Sequence, residues 1–111
     1  MDEKPSFHFE IEKAPDDQAG NKVTIVMCHG NAVADNMGEF KTAVKSLIEQ
    51  GGRTVIDLGD VRFVDSSALG AFVSLKVTAV KRGLCILEFV HMTPRILELL
   101  RLTRIDQLLA K

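Results

Sequence analysis

The chain changes character at Val64-Asp65-Ser66-Ser67-Ala68-Leu69-Gly70, where an apolar run ends and an amphipathic pattern begins. Apolar residues dominate positions 53–58 and 61–64, which is typical of a buried strand. From Leu69 onward apolar residues recur at helical spacing, so two serines and an aspartate lie at a predicted helix N-terminus. Such a terminus carries free backbone N–H groups and a partial positive charge, and it tolerates a phosphate. The stretch therefore predicts a strand–helix junction that presents a serine hydroxyl to another protein.

Upstream of this junction the sequence predicts a β-hairpin. Apolar and polar residues alternate over positions 7–12, which is typical of a half-buried strand. Turn-forming residues fill positions 14–21, and a second strand is predicted over residues 22–28. The centre of this second strand is more continuously apolar, so it should lie deeper in the sheet. His29-Gly30-Asn31 is predicted to end it.

A helix and a third strand are predicted next. Asn36 and Glu39 have the spacing of a capping box at the start of the helix. Gly51-Gly52 is predicted to end the helix. Residues 54–58 form a short apolar run, which is typical of a strand covered on both faces. The predicted apolar face of the helix consists of Phe40, Val44, Leu47 and Ile48.

Two more helices and a fourth strand are predicted downstream. The first helix ends near Gly83, and Lys76, Lys81 and Arg82 are predicted to form its solvated face. The strand runs over residues 84–90, and Thr93 caps the helix that follows. The residues predicted to face the core are Leu69, Phe72, Val73, Leu75 and Val80 in the first helix and Ile96, Leu97, Leu100 and Leu102 in the second.

This order of elements predicts the fold class. Strands that alternate with helices need crossover connections, so part of the sheet should be parallel, while the first hairpin adds an antiparallel edge. We therefore predict an α/β protein with a mixed sheet of four to five strands and helices packed on it. Residues 1–6 are predicted to be a flexible N-terminus, and residues 7–111 a single small domain.

Composition excludes several classes of function. The formal net charge of −1 and the absence of Trp and Tyr argue against nucleic acid as a partner. No apolar segment of about 18 residues exists, so no membrane insertion is predicted. Cys28 and Cys85 fall inside predicted strands and are interpreted as reduced, buried thiols of a cytoplasmic protein. A monomer is the default expectation.

The candidate functional residues cluster at the junction. Ser66 is either a surface acceptor for a modifying group or a helix N-cap, and Ser67 is a cap or a helper. Asp65 either orients the Ser66 hydroxyl, contacts a partner, or forms a second cap. Asp57 is predicted to accept hydrogen bonds from nearby backbone N–H groups, with shaping of an acceptor pocket as the alternative. No cofactor is predicted, and no metal site either, because His8, His29 and His91 are far apart in the sequence.

Four features occur in the order found in one known family. They are Gly30 before a helix with Asn36 near its start, Val55-Ile56-Asp57-Leu58 leading to Asp65-Ser66-Ser67-Ala68-Leu69-Gly70, Leu84 to Val90 leading to Thr93-Pro94, and residues 100–105 as a closing helix. On these features, over roughly residues 7–110, the chain resembles a STAS domain, the family that includes bacterial anti-sigma factor antagonists.

The resemblance implies a protein-binding module switched by phosphorylation, with Ser66 as the phosphoacceptor. Its implied partners are an anti-sigma factor with serine kinase activity, which the unphosphorylated form binds, and a serine phosphatase that restores binding. The implied partner-binding and acceptor-loop residues are Asp65, Ser67, Ala68, Leu69, Asp35 and Asn36. The chain departs from the family pattern at Val33, where an aspartate is common, and at Ala68 and Arg104, where glycine is common.

Two other functions compete with this one. The first is a STAS subunit without a switch, used to assemble a stressosome-like, lipid-transport or transporter complex. The second is an enzyme with Ser66 as nucleophile, which needs a neighbouring base and an oxyanion hole. The chain lacks the Gly-x-Ser-x-Gly pattern, so we predict that it is not an enzyme.

Overall fold

The computed structural model of the protein describes residues 6–103. The elements are β1 (Phe7–Ala14), β2 (Val23–Ala32), a short 3-10 helix (Ala34–Asn36), α1 (Gly38–Gln50), β3 (Gly52–Val64), α2 (Ser66–Arg82), β4 (Cys85–Val90) and α3 (Pro94–Thr103). The N-terminal five residues and residues 104–111, including Arg104, lie outside this range. The predicted limits of the domain therefore stay predictions.

The four strands form one mixed sheet in the order β1-β2-β3-β4. β1 pairs with β2 in antiparallel orientation, while β2 with β3 and β3 with β4 are parallel pairs. The predicted α/β class and mixed sheet are confirmed, with four strands in the described range. β2 is an interior strand and β1 an edge strand, as the more continuous apolar centre of β2 predicts.

β2 does not end at His29-Gly30-Asn31 as predicted. Its pairing with β3 continues through Gly30 opposite Val61 to Ala32 opposite Val64, with register shifts on either side of Gly30. Gly30 adopts a φ of 100°, a conformation that glycine reaches without steric cost. Gly30 interrupts the apolar pattern of β2, but it produces an irregularity in the pairing and does not end the strand.

β3 is longer than predicted and is covered mainly on one face. Thr54, Ile56 and Leu58 are buried, whereas the alternating residues Val55 and Asp57 are partly exposed. This alternation corrects the prediction of a strand covered on both faces. It follows from the positions of α1 and α2, which contact each other and pack on the sheet together.

α1 begins without the predicted capping box. Its N-cap position is Met37, which makes no side-chain hydrogen bond, and Asn36 belongs to the preceding 3-10 helix. The Asn36 carboxamide instead accepts a hydrogen bond from the backbone N–H of Val33 at 3.0 Å. Phe40, Val44 and Ile48 are fully buried as predicted, and the helix ends at Gly51, which has a positive φ of 83°.

α2 departs from its predicted faces in two places. Val80 is 67% exposed, and Ala79 takes the inward position instead. Lys76, predicted to be solvated, is only 7% exposed and donates a hydrogen bond to the carbonyl of Leu87 in β4. Burial lowers the pKa of Lys76, because it disfavours the charged amine. The lysine therefore connects the helix to the edge strand.

Aromatic rings join the elements of the core. Phe40 of α1 makes edge-to-face contacts with both Phe7 and Phe9 of β1 and with Phe72 of α2. Phe72 in turn packs against Phe89 of β4, with ring centroids 5.5 Å apart. These contacts tie both edge strands to the two helices that cover the sheet.

α3 starts as predicted but its apolar face is narrower. The hydroxyl of Thr93 accepts a hydrogen bond from the backbone N–H of Ile96 at 3.3 Å, as expected of an N-cap. Ile96 and Leu100 are buried, whereas Leu102 is 75% exposed, which corrects its predicted place in the core.

Both cysteines are buried and free, as predicted, and burial raises the pKa of the Cys28 thiol to about 12. Within residues 6–103 no helix combines the length and the apolar character that crossing a membrane requires.

Candidate functional site

Asp65 organises the junction between β3 and α2. It is the N-cap of α2, and one carboxylate oxygen accepts a hydrogen bond from the backbone N–H of Ala68 at 2.8 Å. The other oxygen accepts from the backbone N–H of Ala34 at 3.2 Å. Its own backbone N–H donates to the carbonyl of Ala32 at 3.0 Å. One residue thus fixes the end of β2, the 3-10 helix and the start of α2 relative to one another.

Ser66 and Ser67 are the first two residues of α2, and both side chains are exposed. Because Asp65 occupies the N-cap, that structural role falls to neither serine. The hydroxyl of Ser66 therefore stands at the surface of a helix N-terminus, where the helix dipole favours negative charge. No described contact requires that hydroxyl for the fold.

Asp35 and Asn36 lie beside this corner, on the 3-10 helix that Asp65 holds. Asp35 is exposed, while Asn36 is half-buried and also donates to the carbonyl of Asn31 at 3.0 Å. Asn36 therefore helps to set the shape of the loop. A groove of about 470 Å³ runs between this segment and β1, lined by residues 7–9 and by Asp35, Asn36, Gly38 and Glu39.

Ala68 and Leu69 do not contribute to the exposed surface. Ala68 is fully buried and Leu69 is 7% exposed, so both pack into the core. Their predicted partner-binding role stays a prediction. The backbone of Ala68 still matters, because its N–H binds the Asp65 carboxylate.

Asp57 lies in the part of β3 that pairs with Met27 and Val90, whereas the corner follows Val64 at the far end of the strand. It accepts a hydrogen bond from the backbone N–H of Gly59 at 2.9 Å, as predicted. Its carboxylate also lies 3.1 Å from His91 Nδ1. No described contact links it to Ser66, so the alternative of shaping the acceptor pocket has no support.

β1 and β2 together carry a cluster of histidine and carboxylate side chains that the sequence did not predict. His8 lies directly opposite His29 in the antiparallel register, and their rings stack with centroids 4.7 Å apart. His29 contacts Asp60 through Nδ1 at 2.6 Å and Glu10 through Nε2 at 2.8 Å. These contacts with Asp60 and Glu10 raise the pKa of His29. His8 and His29 are far apart in the sequence, but β-pairing brings their side chains together.

The sequence matches one family model. Residues 16–110 match the family described as "Mlab, STAS domain". No curated protein sequence matches the chain at a significant level.

Solved structures with the same fold include two anti-sigma factor antagonists. The anti-sigma factor antagonist SpoIIAA in its unphosphorylated form has a TM-score of 0.69 and 12% identity, over 90% of this chain and 84% of that one. An anti-sigma factor antagonist from Mycobacterium paratuberculosis has a TM-score of 0.68 and 19% identity, over 92% of this chain and 81% of that one. These similarities establish the fold.

A similar structure also occurs within a much larger protein. The murine anion transporter Slc26a9, Solute Carrier 26 family member A9, has a TM-score of 0.61 and 22% identity over 71% of this chain. The match covers 13% of the transporter. The same fold therefore exists both as a small protein and as part of a transporter.

Proposed function

Because this chain belongs to the STAS domain family, we propose that it is an anti-sigma factor antagonist whose binding is switched by phosphorylation of Ser66. In its unphosphorylated form it binds an anti-sigma factor that has serine kinase activity, and it thereby regulates transcription indirectly. Phosphorylation by that kinase ends binding, and a serine phosphatase restores it. The protein acts in the cytoplasm as a binding module without a cofactor.

The observation that carries this proposal is the exposed Ser66 hydroxyl at a fixed helix N-terminus. Asp65 caps the helix and anchors the neighbouring loop, so the serine is presented by a rigid corner. Exposed Ser67 and Asp35 complete the partner-binding surface that we propose. A nucleophilic serine would need a base, yet the described histidines are bound elsewhere: His8 and His29 pair with each other, and His91 contacts Asp57.

A phosphate at this position opposes docking without unfolding the domain. It adds about −1.5 to −2 charges and three strong acceptor oxygens. The free N–H groups and dipole of the α2 N-terminus accommodate that charge in the unbound protein. A partner surface built around a neutral hydroxyl would have to bury it unpaired, which costs several kcal/mol. A penalty of about 4 kcal/mol weakens binding about a thousandfold.

The acceptor residue is tested by incubating the full chain with its cognate kinase and ATP and mapping phosphate by mass spectrometry. We expect one phosphate, on Ser66, and none in the Ser66→Ala variant. Ser67→Ala serves as the control, because Ser67 is the adjacent exposed hydroxyl and its loss should leave the modification intact. Phosphate on Ser67 alone, or none on the wild type, would contradict the assignment.

The charge-exclusion mechanism is tested by calorimetric affinities for the anti-sigma factor. Ser66→Ala should bind within about threefold of the wild type, whereas Ser66→Asp should bind at least a hundredfold more weakly, as expected from a buried unpaired charge. Ser74→Asp places the same charge at an exposed position of α2 outside the proposed partner-binding surface and should leave the affinity within about threefold of the wild type. Equal affinities for Ser66→Ala and Ser66→Asp would rule the mechanism out.

The second candidate is a STAS subunit without a switch. The match to a family described as "Mlab, STAS domain" and the similar fold inside Slc26a9 favour it, as do Val33 and Ala68 in place of the usual family residues. Such a subunit would assemble a stressosome-like, lipid-transport or transporter complex. Recovery of such subunits with the native protein, with no kinase and with no effect of Ser66→Asp on assembly, would select it.

A further inference from the structure

His8, Glu10 and His29 form a compact group of metal-binding side chains on the sheet. One potential ligand atom from each residue lies within 4.8 Å of the corresponding atoms of the other two. The antiparallel register explains this closeness, since His8 is directly opposite His29 and Glu10 is the next residue of β1 on the same face. Strand pairing thus sets the positions of all three, and a ligand site can form without a loop.

The group lies on the sheet face that points away from the core. Phe7 and Phe9 contact the buried Phe40, so the alternating residues His8 and Glu10 point to the opposite face. Glu10 is 61% exposed and His29 26% exposed at the side chain, and His8 is exposed as well. An ion in solution therefore has direct access to the ligand atoms.

The donor set is the one that borderline divalent transition metals prefer. Two imidazole nitrogens and one carboxylate oxygen match the ligands of Zn²⁺ sites that keep a fourth position for water. Atoms bound to one tetrahedral zinc ion lie about 3.4 Å apart. The ligand atoms here lie within 4.8 Å of one another, so the most distant pair closes by at most about 1.4 Å, while the 2.8 Å between Glu10 and Nε2 of His29 widens. Rotation of the exposed Glu10 and His8 side chains supplies such a movement.

Asp60 supplies the support that metal-bound histidines commonly have. Its carboxylate lies 2.6 Å from Nδ1 of His29, on the side of the ring away from Glu10. With Nδ1–H donating to Asp60, Nε2 of His29 is left as the metal ligand, and the ring orientation is fixed. An ion would replace the present 2.8 Å contact between Nε2 and Glu10.

We propose that His8, Glu10 and His29 bind one divalent transition-metal ion of the Zn²⁺ class on the outer face of the β1–β2 hairpin, with Asp60 as the positioning residue for His29. The ion would bridge the edge strand β1 and the interior strand β2. Binding therefore stabilises this edge of the sheet. The site shares no residue with the Ser66 corner, so its presence and the proposed function are independent.

The proposal is tested by calorimetric titration of the untagged, chelator-treated full chain with ZnCl₂, and with MgCl₂ for comparison. We expect saturable binding of one Zn²⁺ per chain, a rise in melting temperature with Zn²⁺, and no comparable effect of Mg²⁺. His8→Asn should lower Zn²⁺ affinity at least tenfold. Asp60→Asn should lower it about tenfold, which is typical for loss of an outer carboxylate.

His91→Asn is the matched control, because His91 is an exposed histidine outside the cluster and its loss should leave Zn²⁺ affinity unchanged. Circular dichroism of each variant without metal shows whether the fold is kept, and His8 is exposed enough for its variant to fold. Absence of saturable Zn²⁺ binding to the wild type would overturn the proposal. Equal losses in His8→Asn and His91→Asn would overturn it too.

Discussion

At the scale of single residues, Gly30 shows how one backbone position holds two strands in place. Its φ of 100° lies in the region that favours glycine. A Cβ atom at this position would lie 2.3 Å from the carbonyl oxygen of Ser6. That same carbonyl accepts a hydrogen bond from the backbone N–H of Asn31 at 2.8 Å. The start of β1 therefore approaches β2 as closely as it does because residue 30 has no side chain.

Gly30→Ala should destabilise the protein by about 2 kcal/mol or more, since it combines backbone strain with a clash against main-chain atoms. The free energy of unfolding in urea measures this effect. Gly20→Ala is the matched control: Gly20 also has a positive φ, of 83°, but a Cβ atom there would meet open space. Similar losses in both variants would show that the close approach of Ser6 is unimportant.

At the scale of elements, the start of α2 depends on one carboxylate. Asp65 accepts hydrogen bonds from the backbone of α2 and from the backbone of the 3-10 helix. A helix N-cap of this type contributes about 1 kcal/mol, and the second contact also restrains the loop. The cap and the loop therefore form one unit of local stability.

Asp65→Ala should lower the free energy of unfolding by about 1–2 kcal/mol, because it removes the cap of α2 and the contact to Ala34. Asp65→Asn keeps an acceptor oxygen and should recover most of the loss. Urea unfolding checks both, with Asp35→Ala as the control, since Asp35 is exposed on the adjacent 3-10 helix. An Asp65→Ala variant as stable as Asp35→Ala would refute the role of the cap.

The elements themselves were largely predictable from the sequence. Period-two and helical spacings in the apolar residues give the β-β-α-β-α-β-α order, because burial of one face enforces those periods. The exposed serine corner was predictable for a related reason, since the apolar run ends just before Asp65. The ends of the elements were less predictable. Gly30 predicts the end of β2, but the strand continues past it because glycine can adopt the positive φ found there.

Other features depend on contacts between distant segments. The burial of Lys76 requires knowing that β4 packs beneath α2 and offers the Leu87 carbonyl. The His8–His29 pair requires the register of the hairpin, which a long turn between the strands leaves open. The capping-box spacing of Asn36 and Glu39 was misleading because Asn36 bonds within the preceding loop instead.

At the scale of the whole molecule, Lys76 couples global stability to pH. The unfolded lysine keeps its proton up to a pH of about 10.4, whereas burial lowers the pKa of the folded one. At pH values between the pKa of the folded lysine and that of the unfolded lysine, the unfolded state binds more protons. The free energy of unfolding therefore rises with pH over this range. The free-energy cost of burying Lys76 is therefore greatest at neutral and lower pH.

Lys76→Met, which removes the titrating amine but keeps a long side chain, should abolish this rise. The stability of the wild type relative to Lys76→Met should increase between neutral pH and about pH 10. Urea unfolding of both proteins at several pH values gives this difference directly. Lys81→Met controls for the loss of an exposed lysine, and a wild-type difference that stays constant with pH would contradict the prediction.

The strand order β1-β2-β3-β4 has a consequence for biosynthesis. Every strand hydrogen-bonds to the strand that precedes it in the chain, so a nascent polypeptide leaving the ribosome can extend the sheet one strand at a time. The antiparallel pair β1–β2 closes over the shortest length of chain, whereas the parallel pairs join residues about 30 positions apart, such as Val23 with Arg53, and should form more slowly. Each newly synthesised strand can pair with a strand that has already left the ribosome. None of the strands β1 to β4 has to keep an edge unpaired until a more distant segment has been translated.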